Sequence, residues 1–238
     1  MIRLEGVTFR YEDMQMRFDV AFPKGSFTAV IGPSGGGKST LLNLIAGFEA
    51  PEQGRVLIGG ADVTALPPHQ RPVSMIFQDN NVFAHLDLWQ NVALGVSPSL
   101  KLDMAQKARV EAALAEVGLG ALMQRKPGEI SGGERQRVGV ARALVRDRPV
   151  LLLDEPFAAL GPAMRKDMLE LVTAMSQARD LTVVMVTHQP EDALAAARHT
   201  AYLENGRIVA LRPTAELFAA EDLPGLHAYL GDWRSAKL

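Results

Sequence analysis

The stretch Gly32-Pro33-Ser34-Gly35-Gly36-Gly37-Lys38-Ser39 decides the fold, because a glycine-rich turn closing on Gly-Lys-Ser has its use between a strand and a helix. The apolar run Phe27–Ile31 enters it as a buried strand would, and Lys38–Ala46 leaves it as a helix closed by Gly47. Glycines let the backbone curl until successive N–H groups point inward, and the helix N-terminus adds partial positive charge. Phosphate oxygens fit that nest. Lys38 then reaches the terminal phosphates of a nucleotide, Ser39 sets its hydroxyl on magnesium, and Thr40 lies in the first helical turn beside them.

Outward from this loop the chain alternates strands and helices. Met16, Phe18, Val20 and Phe22 alternate with Arg17, Asp19 and Ala21, the period of a half-buried strand. Residues 55–58 and 73–77 are further strands, and Gly59-Gly60 turns the chain after the first. From residue 87 to 145 a helical period takes over: Asp103 is a good N-cap, Val110, Leu114 and Val117 share a face, and Gly118 is a stop. Alternation then resumes with strand 150–153, helix 163–177, strand 181–186, helix 191–198 and strand 201–203. Asn205-Gly206 signals a hairpin into 208–211, Thr214 and Glu216 open a short helix, and the tail after Asp222 carries no clear pattern. Strands alternating with helices mean an α/β fold on a mostly parallel sheet. The reading is one domain over 1–238, with core segments 1–78 and 146–238 and a helical insertion at 79–145.

The 238 residues are 47% hydrophobic, enough for one well-packed unit. With 25 basic against 27 acidic residues there is no cationic excess to attract nucleic acid, so no such partner is expected. No cysteine is present, which excludes disulfides and thiolate chemistry. Met1-Ile2-Arg3-Leu4-Glu5 carries no signal-like apolar core, and the apolar runs are far short of the roughly 20 residues a membrane helix needs. A soluble chain is expected, tied to a membrane only through a partner.

Residues 150–153 run straight into Asp154 and Glu155. Ligands of a doubly wound sheet collect at the carboxyl ends of its strands, so Asp154 suits magnesium and Glu155 suits a general base toward water. Ser131-Gly132-Gly133-Glu134 fits a capping box ahead of a helix over 135–145, and its bare glycines leave N–H groups open to a phosphate. An ordinary helix cap is the competing reading of those residues.

The phosphate loop, Gln78 at a strand end, residues 131–134, Asp154-Glu155 and Thr187-His188 occur in an order that resembles the nucleotide-binding subunit of an ABC transporter, over nearly the whole chain. The resemblance implies a P-loop NTPase core with an N-terminal antiparallel β subdomain and an inserted α-helical subdomain. It assigns Tyr11 to adenine stacking, Gln78 to magnesium and the attacking water, and His188 to the γ-phosphate. It gives Ser131, Gly132, Gly133 and Glu134 to the nucleotide held by a second copy. A head-to-tail homodimer, transmembrane permease subunits and, indirectly, a periplasmic solute-binding protein are the implied partners, at the cytoplasmic face of the bacterial inner membrane. Two positions depart from the family: Glu134 stands where glutamine is usual, and Gly161, after Ala158-Ala159-Leu160, where aspartate is usual.

A narrower resemblance, to the ATPase of bacterial thiamine importers, rests on Met16-Arg17-Phe18, Gly47-Phe48, residues 71–86 and Pro127-Gly128-Glu129-Ile130. Phe83, Leu86, Leu88 and Trp89 are candidates to line a groove for a membrane subunit, or else to form the insertion's own core. An importer for iron, polyamine or another small solute, a soluble non-transport ABC ATPase, and a P-loop kinase stay open as alternatives.

Overall fold

The computed structural model describes residues 1–78 and 82–231; Asp79, Asn80 and Asn81, and the final residues of the tail, lie outside them. The strands are β1 (Ile2–Tyr11), β2 (Met14–Phe22), β3 (Phe27–Ile31), β4 (Gln53–Ile58), β5 (Ala61–Asp62), β6 (Val73–Ile76), β7 (Val150–Asp154), β8 (Thr182–Val186), β9 (His199–Glu204) and β10 (Arg207–Pro213). The helices are α1 (Lys38–Ala46), α2 (Leu88–Ala93), α3 (Met104–Glu116), α4 (Gly132–Leu144), α5 (Pro162–Ala178), α6 (Pro190–Ala196), α7 (Thr214–Ala219) and α8 (Pro224–Leu230). The strands join in one mixed sheet, ordered β5-β4-β1-β2-β10-β9-β3-β8-β7-β6. From β9 to β6 neighbouring strands are parallel, whereas β5, β4, β1 and β2 pair antiparallel. β10 joins the two parts, antiparallel to β9 and parallel to β2 at Arg207↔Arg17.

Side-chain alternation divides the core between the two faces of the sheet. Val30, Val150, Leu152, Val184 and Val186 join α1 and the antiparallel strands, while Ala29, Ile31, Leu151, Leu153, Val183 and Met185 join α2 to α8. Helix α1 is covered on nearly all sides, with Leu41, Leu42, Leu44 and Ile45 fully buried. After its first turn the helix is therefore apolar apart from Asn43. Each such side chain contributes roughly 1.5–3 kcal/mol, which fixes the helix that begins at the phosphate loop.

The other end of α1 is held by a buried charge. Arg71, 1% exposed, donates to the carbonyls of Leu44 (2.6 Å), Ile45 (2.9 Å), Leu66 (2.9 Å) and Thr64 (2.9 Å). Gly47 makes room: at φ 85° it ends the helix in the left-handed region, and a Cβ there would collide with the guanidinium.

Several boundaries differ from the sequence expectation. Helix α4 starts at Gly132, directly after its cap, so both glycines form its first turn. Helix α6 stops at Ala196, because the Arg198 N–H donates to the Phe27 carbonyl and starts the run into β9. The tail after Asp222, which carried no clear pattern in the sequence, contains α8, packed on the core through Leu223, Leu226 and Leu230. Leu88 is fully buried, because the Asp87–Gln90 capping box starts α2 with that side chain turned inward. It belongs to the core and cannot line a groove. Trp89 packs against the same core, whereas Phe83 is 45% exposed beside a cavity of about 270 Å³ shared with Met75, Phe77 and Arg142.

Candidate functional site

Parallel register brings three loops to one edge of the sheet. Val30 and Asp154 both pair with Val186, so the residues after β3, β7 and β8 emerge side by side. They carry the phosphate loop, Glu155 and His188 respectively. Ile76 pairs with Leu153, which sets Gln78 at the same edge, exposed to solvent. Strand order reverses around β3, the place where doubly wound sheets form their ligand crevice.

The loop's shape depends on close backbone approach. Gly32 has φ 148°, and a Cβ there would collide with the Leu203 carbonyl oxygen. Gly37, at φ 104°, caps α1 without any side-chain hydrogen bond and packs against the Met16 sulfur. The first N–H groups of α1 are thus left without a side-chain partner, as an anion site requires. The Gly206 N–H donates to the Gly36 carbonyl at 3.0 Å, so the β9–β10 turn braces the loop from outside.

Lys38 is 5% exposed, and its Nζ donates to the Gly32 and Pro33 carbonyls, each at 2.8 Å. Burial holds its pKa below the usual lysine value, against the pull of Glu155 and Asp154. The Ser39 hydroxyl donates to Asp154 Oδ1 at 3.1 Å. Burial raises the Asp154 pKa and the Glu155 charge adds to it, while the Ser39 hydrogen bond and Lys38 oppose them. Glu155 adopts φ +46°, a left-handed backbone unusual for a non-glycine residue and of the kind that clusters at functional sites. Its Oε1 lies 2.6 Å from His188 Nε2.

A pocket of about 540 Å³ gathers Tyr11, Ser34, Gly35, Gly37, Lys38, Ser39, Thr40, Glu155 and His188. Asp154 joins them through Ser39, while Gly32, Pro33 and Gly36 shape the loop without lining the pocket. Tyr11 is 59% exposed at the rim, an open face on which a flat ring can stack. Sequence reasoning missed Glu12, Asp13 and Met14 on the same rim, and the lining role of Met16; their nearness follows from the β1–β2 turn, for which the sequence holds no strong local signal. A larger cavity, about 710 Å³ between α5 and α6, contains none of the residues singled out from the sequence. The smaller pocket is the candidate site, because the cation, the carboxylates and the free helix terminus meet there.

Residues 131–134 do not line this pocket. They form the capping box read from the sequence: the Glu134 N–H donates to Ser131 Oγ at 3.3 Å, and Glu134 Oε2 accepts from both the Ser131 N–H and its hydroxyl at 2.7 Å. Those hydrogen bonds from Ser131 depress the Glu134 pKa, so the carboxylate stays charged. A Cβ on Gly161 would meet open space, so local packing does not force the glycine that departs from the family pattern.

The family model for ABC transporters matches residues 16–158. The chain is 55% identical over 230 residues to the thiamine import ATP-binding protein ThiQ of Mesorhizobium japonicum, covering 97% of this chain and 91% of that protein. It is 50% identical to the ThiQ protein of Salmonella paratyphi A, covering 93% and 94%. Among solved structures it resembles the ADP conformation of MJ1267, an ATP-binding cassette of an ABC transporter, with TM-score 0.88, 26% identity and 97% and 98% coverage. It also resembles the dimeric post-hydrolysis cassette MJ0796 bound to ADP and Pi, with TM-score 0.76, 27% identity and 90% and 99% coverage. No described helix is long and apolar enough to cross a membrane. This chain, with its phosphate loop, its paired acids and its cassette sheet, is a member of the ABC transporter family.

Proposed function

We propose that the chain is the ATP-hydrolysing subunit of an importer that moves thiamine and its phosphates through a membrane permease. The carrying observation is the meeting of Lys38, Ser39, Glu155 and His188 in one pocket, with Asp154 hydrogen-bonded to Ser39 beside it, while residues 131–134 stand apart from it. The solute rests on about 50–55% identity, over nearly the full length, to proteins named for thiamine import.

Lys38 leaves its loop carbonyls to bind the β- and γ-phosphates, and the N–H groups of residues 32–39 cradle them. Ser39, Asp154 and, from the same sheet edge, Gln78 offer hard oxygen atoms, and no described cluster of three or more acids or histidines competes for a metal. That donor set fits magnesium, which keeps waters and phosphate oxygens around one or two protein ligands and supplies charge neutralisation when bound. Glu155 takes a proton from the attacking water, and His188 bonds the γ-phosphate once it releases Glu155.

Ser131, Gly132, Gly133 and Glu134 then close on the nucleotide of a second copy, so the working unit is a head-to-tail homodimer. Residues 79–145 act as the inserted helical unit that carries this segment and faces the permease, with 1–78 and 146–238 as the catalytic core. The dimer sits at the cytoplasmic face of the membrane, and a periplasmic binding protein delivers solute to the permease.

Glu155→Gln should bind ATP, accumulate as a dimer, and lose turnover by roughly 10²–10⁴-fold, the contribution of a positioned base. Full turnover by that variant would sink the assignment. Reconstitution with the permease in vesicles should give ATP-dependent thiamine uptake, and uptake of a different solute alone would replace thiamine.

A further inference from the structure

We infer that Tyr229 is a positioning residue of the nucleotide site, its hydroxyl anchoring the His188 main chain to α8. The inference rests on the ATPase reading above. Tyr229 lies on α8, which Leu223, Leu226 and Leu230 fix in the core shared with β7 and β8. Its ring sits 6.2 Å from that of Tyr202, whose own hydroxyl donates to Glu204 at 2.8 Å. Gly225 packs on the same Glu204 carboxylate, so the start of α8 is seated against β9.

From this seat the Tyr229 hydroxyl donates to the His188 carbonyl at 3.4 Å. This hydroxyl thus ties α8 to the loop that carries His188 at the sheet edge. Burial raises the phenol pKa and the Glu155 charge adds to it, outweighing the lowering influence of the Gly32 backbone, so the proton needed for donation stays on. The bond to His188 is long for O–H···O geometry. Catalytic hydrogen bonds commonly tighten only when substrate is bound. Here the gain would come when His188 turns from Glu155 toward phosphate, because its main chain must hold still while its ring moves.

A purely structural aromatic would need no hydroxyl, and that separates the two roles. Tyr229→Phe in the full-length chain keeps the ring and its packing, so the thermal midpoint should not move. Its kcat for ATP should fall about five-fold, the factor a single net hydrogen bond supplies, with KM changed less than two-fold. In a His188→Ala background, followed by single-turnover measurement, the same substitution should change nothing further. Unchanged kcat overturns the inference, as does an equal fall in both backgrounds. Absence of ATP turnover in the wild-type chain would instead overturn the ATPase reading and this inference with it.

Discussion

Replacing Arg71 by methionine tests whether α1 depends on a charge buried far from the phosphates. The substitution removes hydrogen bonds of 2.6–2.9 Å to the carbonyls of Leu44, Ile45, Leu66 and Thr64. The Gly47 and Phe48 N–H groups are already committed to the Asn43 carbonyl, so no neighbour can take over Leu44 and Ile45. An orphaned buried carbonyl costs about 1–3 kcal/mol, and two at the end of α1 set a loss of roughly 2–6 kcal/mol. Relief of the guanidinium's own burial, which lowers its pKa, offsets part of this. A net loss of about 2–4 kcal/mol is expected, which lowers the melting temperature by roughly 5–15 °C for a chain of this size. Calorimetry with and without ATP is the assay. Because the N-terminal turn holding Lys38 is not touched, ATP should still raise the variant's midpoint. A fall under about 1 kcal/mol would refute the reasoning, showing that water or a shifted backbone satisfies those carbonyls.

Asp154→Asn should stabilise the nucleotide-free chain at neutral pH while removing its stabilisation by magnesium–ATP. The sign follows from the raised pKa: the native state holds the proton more tightly than the unfolded one, so stability falls as pH rises from the ordinary 3.8 through the native value. Thermal scans at pH 3.5 and pH 7 check it; a wild-type advantage at neutral pH without nucleotide would contradict it. Glu134→Gln should strengthen ATP-dependent dimerisation several-fold, because the neutral amide still accepts from the Ser131 N–H while removing a charge from the face meant for a phosphate. Sedimentation at a series of ATP concentrations gives the answer, and equal or weaker dimerisation would count against a phosphate role for residues 131–134.

What the sequence made legible was local. Residues 27–47 encode their strand, turn, helix and stop in successive letters, and α1 spans Lys38–Ala46 as read. Ser131 and Glu134 cap α4 because a capping box needs nothing beyond its own four residues. Asn205 and Gly206 take φ 48° and 72°, the paired positive values of a tight hairpin turn. What stayed hidden depends on distant partners. Strand β1 breaks its alternation where the register shifts between Leu4 and Val7, beside Gly6 at φ 55°, so period two is lost. Leu88 looked available because nothing in its neighbours tells which way α2 turns. Arg71 and Tyr229 gain their meaning from carbonyls 26 and 41 residues away, at Ile45 and His188. For α8 a signal was present: Pro224 at the first turn, with Leu223, Leu226 and Leu230 at helical spacing.

The phosphate loop is written early in the chain but is held by its end. β3 pairs on one side with β8 and on the other with β9, Gly32 is pressed against the Leu203 carbonyl, and Gly36 is braced by Gly206. During synthesis, therefore, residues 32–39 leave the ribosome long before the strands that shape them exist. Non-local pairing of this kind forms late, once the loop-closure entropy has been met. The nascent chain cannot grip nucleotide while it is still unfinished, and it becomes competent only after the β9–β10 turn has emerged.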